Sequence, residues 1–294
     1  MTDIENGLKC TSCSQVYAIS NGVPLLQTPE SEGILAEFRQ DAENVLLRRA
    51  LEASPWKLRL IEAIRPPHPF WFMRRKISRV QREAFSKLAT LNSGQEDTVF
   101  IDIGSGILGG LNATGLSQWV RERIVPIEIA PTAGVGVVGD AHYLPFANES
   151  IDGVLIQGVL EHVLDPERIV NEIYGVLRPG APVFAEVPFL QHYHLDPVDF
   201  RRWTHFGFAH LFKRFTEKSA GTCAGPATTL TDMLTEFPAL LFKSPSMYWT
   251  VKTISGWIFS PVQLLDAVWA GRPRAHIMAG SVYFLGTKPL NESQ

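Results

Sequence analysis

The residues of this chain best suited to chemistry begin at Val99-Phe100-Ile101-Asp102-Ile103-Gly104-Ser105-Gly106-Ile107-Leu108-Gly109. An apolar run ends in an acid and passes into glycines spaced G-x-G-x-x-G. A buried parallel strand turns into a ligand-binding loop in this way, because glycine lets the backbone turn sharply and come close to a bound group. Glu128, 24 residues past Gly104, closes a second apolar run, Ile124-Val125-Pro126-Ile127-Glu128. An acid at that distance can accept hydrogen bonds from both hydroxyls of a ribose. A nucleotide-type cofactor is implied, and these residues admit either a dinucleotide or S-adenosylmethionine.

A second polar group follows the run Pro182-Val183-Phe184-Ala185-Glu186-Val187. The segment from Pro188 to Thr204 carries His192, His194, Asp196, Asp199, Arg201 and Arg202. Histidine suits proton removal near neutral pH. His192 or His194 is the expected base, with Asp196 or Asp199 to orient the imidazole. The competing reading of Asp199, Arg201 and Arg202 is a salt-bridge and capping cluster with no chemical role.

These residues need a scaffold that brings strand ends together. From Thr98 the pattern alternates strand and helix, with strands expected at 98–103, 124–129, 152–157 and 181–187 and a closing strand at 280–286. That alternation predicts a doubly wound α/β domain with a mostly parallel sheet and helices on both faces. Ligands in such sheets bind beyond the carboxyl ends of the strands, near the switch in strand order.

The later motifs separate the two cofactors. Gly139-Asp140-Ala141-His142-Tyr143-Leu144-Pro145-Phe146 precedes Glu149-Ser150-Ile151-Asp152-Gly153-Val154. Then come Gln157-Gly158-Val159-Leu160-Glu161-His162-Val163 and Val176-Leu177-Arg178-Pro179-Gly180. In this order, across about residues 98–215, the chain resembles the small-molecule branch of the class I S-adenosylmethionine-dependent methyltransferases. The loop after Val187 resembles that of bacterial methyltransferases associated with glycans and surface polysaccharides. The resemblance implies a seven-stranded sheet and S-adenosylmethionine as cofactor. It implies that Gly104, Ser105 and Gly106 pass under the methionine part of the cofactor and that Asp102 orients that loop or reaches the cofactor's amino group through water. Glu128 would bind the ribose. Asp140 would accept from the adenine amino group beside the Ala141 N–H, and Gln157 would face the methionine end. Glu128 stands where Asp is commoner, and Ala181 where a glycine is expected after Pro179-Gly180.

Glu161-His162 reads as the start of a helix, with the acid favouring the helix N-terminus and the histidine packed. No ligand spacing there demands a metal. Cys10-x-x-Cys13 lies in a leader, residues 1–30, that reads as a small hairpin. A closed zinc site needs four ligands, and no second pair is near. Residues 31–95 read as a helical extension, broken at Pro66-Pro67-His68-Pro69 and followed by Phe70-Trp71-Phe72-Met73 and the basic run Arg74–Arg82. Residues 96–294 form the expected methyltransferase domain. Within it, 225–275 is a helical insertion poor in charge, expected as a cap, a lid, an interfacial patch or a homodimer contact.

The 294 residues carry a formal net charge of −3, with 45% hydrophobic and 19% charged. No global positive field points to nucleic acid. Three cysteines make no disulfide framework, and the first residues lack a secretory pattern, so the expected location is cytoplasmic, with peripheral membrane contact through the apolar insertion. The expected activity is O-methylation of a sugar, glycolipid or other small-molecule hydroxyl. The alternatives are an RNA base N-methyltransferase, favoured by the basic run alone, and a non-catalytic cofactor-binding subunit, opposed by intact Asp102, Glu128 and Asp140.

Overall fold

The computed structural model describes residues 2–4, 7–11, 14–27, 85, 97–106, 116–129, 134–193 and 198–290. The helical reading of 31–95 falls outside the described residues except at Phe85, as do Cys13, His194 and Asp196.

Seven strands form the main sheet: β5 (Phe100–Ile103), β6 (Ile124–Glu128), β7 (Val137–Val138), β8 (Gly153–Gln157), β9 (Pro182–Pro188), β10 (Thr216–Thr222) and β11 (Ser281–Thr287). Their order is β10-β11-β9-β8-β5-β6-β7. The pairs β5–β6, β5–β8, β6–β7 and β8–β9 are parallel, and β11 runs antiparallel to both neighbours. This is the mostly parallel α/β sheet expected, and the strand order reverses between β5 and β8. Every residue of β9 and all of β5 are buried, as strands covered on both faces must be.

The helices use ordinary local signals. In α2 (Pro166–Val176), Asp165 accepts from the Arg168 N–H at 2.9 Å and Pro166 opens the first turn, a favoured start. Ile169, Val170, Ile173 and Val176 form its buried stripe. α3 (His205–Leu211) is capped by Thr204 and brings Phe208 and Phe212 to β11, where Phe212 stacks on Phe284 at 4.8 Å. α1 (Gln118–Arg121) leads into β6, with Phe85 edge-on to Phe100 beneath. The insertion holds α4 (Pro226–Glu236), α5 (Pro245–Phe259) and α6 (Asp266–Trp269).

The leader is larger than a hairpin. β1 (Thr2–Ile4), β2 (Gly7–Lys9), β3 (Val16–Ser20) and β4 (Val23–Pro24) make an antiparallel sheet. Leu25 then bridges Val138, and the Leu26 N–H donates to the Val138 carbonyl at 2.8 Å. The leader thereby covers the free edge of β7, which would otherwise offer unpaired backbone groups. Two strands, β7 and β10, lie outside the sequence expectations: β7 is two residues long, and β10 (Thr-Glu-Lys-Ser-Ala-Gly-Thr) lacks an apolar run. Pairing with β11 decides β10.

Candidate active site

The C-terminal ends of β7, β6, β5 and β8 are neighbours, and the cofactor residues lie at or just past them. Asp102 is fully buried in β5. The chain then turns through Gly104 (φ +70°) and Gly106 (φ +72°), a conformation that side-chain-bearing residues adopt only at a cost. The N–H of Gly104 donates to the Ile127 carbonyl at 2.9 Å. Glu128 closes the loop from the next strand: one carboxylate oxygen accepts from the Gly106 N–H at 3.0 Å and the other from the Ile129 N–H at 2.9 Å. Glu128 is therefore a loop clamp as well as a candidate ribose acceptor. Glu128→Gln keeps one accepting oxygen and replaces the other with a donor facing an N–H. Calorimetry should show S-adenosylhomocysteine binding weakened about tenfold, the worth of one charge-assisted hydrogen bond.

Past β7, Asp140 caps a 3-10 turn at Ala141–Tyr143. Its Oδ1 accepts from the His142 backbone N–H at 2.9 Å and from His142 Nδ1 at 2.7 Å. Its Oδ2 is buried and has no partner within the described structure, as is the hydroxyl of Ser105. A buried acceptor of this kind awaits a donor. Gln157 ends β8, half-buried, and Gly158 turns the chain with φ +63° while donating to the Glu186 carbonyl at 3.0 Å.

Glu161-His162 does not start a helix. It sits on a 3-10 turn, Leu160–His162, ahead of α2. The loop after β9 is stitched to this turn: His162 Nδ1 donates to the Val198 carbonyl at 2.5 Å, the Phe200 N–H to the Glu161 carbonyl at 2.8 Å, and Arg201 to the Leu164 carbonyl at 2.7 Å. Burial pushes the Glu161 carboxyl up to about 8, with the nearby Glu186 acting in the same direction. Burial likewise pushes Glu186 up to about 7, against a hydrogen bond from Ser281. Each folded-state value lies above the usual carboxylate value, so between pH 4.5 and about 8 the folded chain holds protons that the unfolded chain has released. Stability falls as pH rises through that window. Glu161→Gln should therefore raise the melting temperature relative to the parent at pH 8 and change it little at pH 5, measured by circular dichroism.

His192, past the end of β9, is paired by tertiary structure. Its Nδ1 donates to Asp232 of α4 at 2.7 Å, and its backbone N–H reaches the same oxygen at 3.2 Å. Its Nε2 lies 3.5 Å from Glu236, which also takes the Lys252 ammonium and the Tyr248 hydroxyl, the latter at 2.6 Å. Asp232, the largest influence, raises the imidazole above its ordinary value; burial opposes it. Burial, then the hydrogen bond to Glu236, pushes the Tyr248 phenol up to about 12.

The His192 ring is held by Asp232, while Asp196, one of the two expected orienters, lies outside the described residues. Asp199 forms an ion pair with Arg202, which also donates to the His192 carbonyl at 3.3 Å, so Asp199 braces the loop, and Asp232 holds the ring. Asp232 and Glu236 carried one sequence signal, acids four apart on a helix face. Nothing in the sequence showed that this face turns inward.

Residues 101–185, from β5 into β9, match a family described as a methyltransferase domain. The match covers 85 of the chain's 294 residues. S-adenosylmethionine is the cofactor, and the left-handed glycine loop, Glu128 at the end of β6 and the open acceptor on Asp140 fit that group. Norajmaline N-methyltransferase of Rauvolfia serpentina is 26% identical over 167 residues, 52% of this chain and 55% of that protein. An uncharacterized methyltransferase of Mycolicibacterium vanbaalenii is 32% identical over 95 residues, 29% of this chain and 37% of that protein. The chain thus spans about half or less of the length of these curated relatives. The 1,6-didemethyltoxoflavin-N1-methyltransferase of Burkholderia thailandensis is a solved structure that aligns over 95% of this chain and 98% of its own, at 12% identity and a TM-score of 0.47. The matched methyltransferase domain stops before His192 and the helical cap.

Proposed function

We propose that this chain is an S-adenosylmethionine-dependent methyltransferase that methylates a hydroxyl on a sugar, glycolipid or other small-molecule acceptor. The observation that carries the acceptor chemistry is the His192–Asp232 pair on the loop after β9, beside the strand whose end holds Gln157. A sulfonium supplies an already activated methyl group, so the protein need only align the acceptor, exclude water and remove a proton.

The roles follow from position. Asp102, Gly104, Ser105 and Gly106 hold the methionine portion. Glu128 binds the ribose while keeping the glycine loop closed. Asp140 Oδ2 accepts from the adenine amino group next to Ala141, and Gln157 faces the methionine end. His192 takes the acceptor's proton, and Asp232 positions the ring and stabilises the imidazolium that results. His194 and Asp196 lie on the same loop, outside the described residues, and His194 is the second candidate base.

The test is transfer of a labelled methyl group from S-adenosylmethionine to fractionated extract of the source cells. Label in base-stable lipid or glycan products supports hydroxyl methylation. Label in RNA, or in amines alone, moves the chain to another acceptor class.

A further inference from the structure

The helical cap is built with its polar residues inward and its apolar residues outward. Along α4, Thr228, Thr231, Asp232 and Glu236 are buried. Leu230, Met233 and Phe237, at spacings of three and four, are 38%, 43% and 72% exposed. They form one stripe that faces away from the interior. α5 repeats the inversion: it buries Ser255 and Gly256 and exposes Trp249, Ile254, Trp257 and Ile258. Next, Ser260, Gln263 and Asp266 are buried while Leu264, Leu265 and Trp269 are exposed. Single exposed apolar residues are ordinary, but so many exposed apolar residues on consecutive elements of one insertion mark a surface that meets something.

The inward polar groups explain the orientation. Asp266 accepts from the Ala227 and Thr228 N–H groups and the Thr228 hydroxyl, capping α4, while Asp232 and Glu236 hold His192. The outer face then carries the apolar residues by default.

The exposed charges of residues 237–290 have one sign. Between Phe237 and Leu290 the sequence contains one acid, Asp266, and it is buried in that cap. Lys243, Arg272 and Arg274 are exposed. Tryptophans on an apolar face edged by cations suit the boundary between lipid headgroups and acyl chains. A second copy of the chain would set two cationic rims against each other. No helix among the described residues is long and apolar enough to cross a membrane, and α5, with 15 residues, reaches only about 22 Å.

We propose that the outer face of the 230–278 cap docks on an anionic lipid surface, lying in the interface without spanning it. Because the inner face of the same cap holds His192, docking brings the acceptor loop to the bilayer. This consequence, which rests on the methyltransferase reading, points to an acceptor with a polar head and a lipid tail.

The test is sedimentation of the full chain with vesicles of phosphatidylcholine alone and of phosphatidylcholine with phosphatidylglycerol. Partitioning into the anionic vesicles is expected, reduced roughly tenfold or more by Arg272→Gln with Arg274→Gln and by Trp257→Ser with Ile258→Ser. Circular dichroism checks that each variant is folded. No partitioning into either vesicle overturns the proposal. So does binding indifferent to lipid charge, and so does a dimer by light scattering that the Trp257→Ser, Ile258→Ser variant dissociates. S-adenosylhomocysteine affinity, measured on the same samples, reports separately on the methyltransferase reading.

Discussion

Gly104→Val is expected to abolish S-adenosylhomocysteine binding, with affinity by calorimetry reduced at least about a hundredfold. Two costs combine. At φ +70° a side-chain-bearing residue takes on strain of about 1–2 kcal/mol. In addition, a Cβ at this position would sit 2.1 Å from Val159 Cγ2, far inside contact distance. Val159 is β-branched and stiff, and it lies on the turn after β8, so relief requires the glycine loop or the 157–162 turn to move. Both belong to the candidate cofactor site. Gly106 is the internal control. Its φ is +72°, but a Cβ there meets no protein atom within 4 Å, so Gly106→Ala should leave the loop in place and lose less affinity than Gly104→Val, through backbone strain and contact of the new methyl with the methionine portion. Equal tight binding by parent and Gly104→Val would remove this loop from the cofactor site.

The second large effect belongs to His192. His192→Ala should lower kcat by about a hundredfold or more, the usual worth of a positioned base, with S-adenosylhomocysteine affinity nearly unchanged. Asp232→Asn supplies a readout that a purely structural role would not move. A base must be neutral to accept a proton, and Asp232 holds the His192 value above the ordinary one. The acidic limb of the kcat/KM profile should therefore lie above the ordinary histidine value in the parent and move to lower pH in Asp232→Asn, beneath a reduced plateau. The stability linkage has the matching sign. The His192 imidazolium contributes stability that is fully present below its unfolded value and lost as pH rises through the raised folded value. Full turnover in His192→Ala would transfer the base role to another residue of the loop.

The two effects separate the halves of the site. The glycine loop, Glu128 and Asp140 lie within the span matched by the methyltransferase domain family, and the roles proposed for them concern the cofactor. His192, Asp232, Glu236, Tyr248 and Lys252 lie beyond it. On the proposed reading, acceptor chemistry is set by the segment beyond the matched residues.

The sequence by itself determined the parallel core and the glycine turn and acids at its strand ends. Buried parallel strands are nearly continuous apolar runs, so β5, β6, β8 and β9 were legible, and glycine at G-x-G spacing reports backbone conformation directly. Glu128 and Asp140 were legible because each ends an apolar run or caps a turn, both local properties. Only tertiary structure decided the rest. β7 has two residues, too few for a pattern, and β10 exists through its pairing with β11. The partner of His192 lies 40 residues away, and no local rule selects Asp232 over the nearer Asp199, which Arg202 engages instead. Amphipathicity marks two faces of α4 without saying which one turns inward; the cap of Asp266 and the pairing of Asp232 and Glu236 with His192 turn the polar face in and leave the apolar one outside.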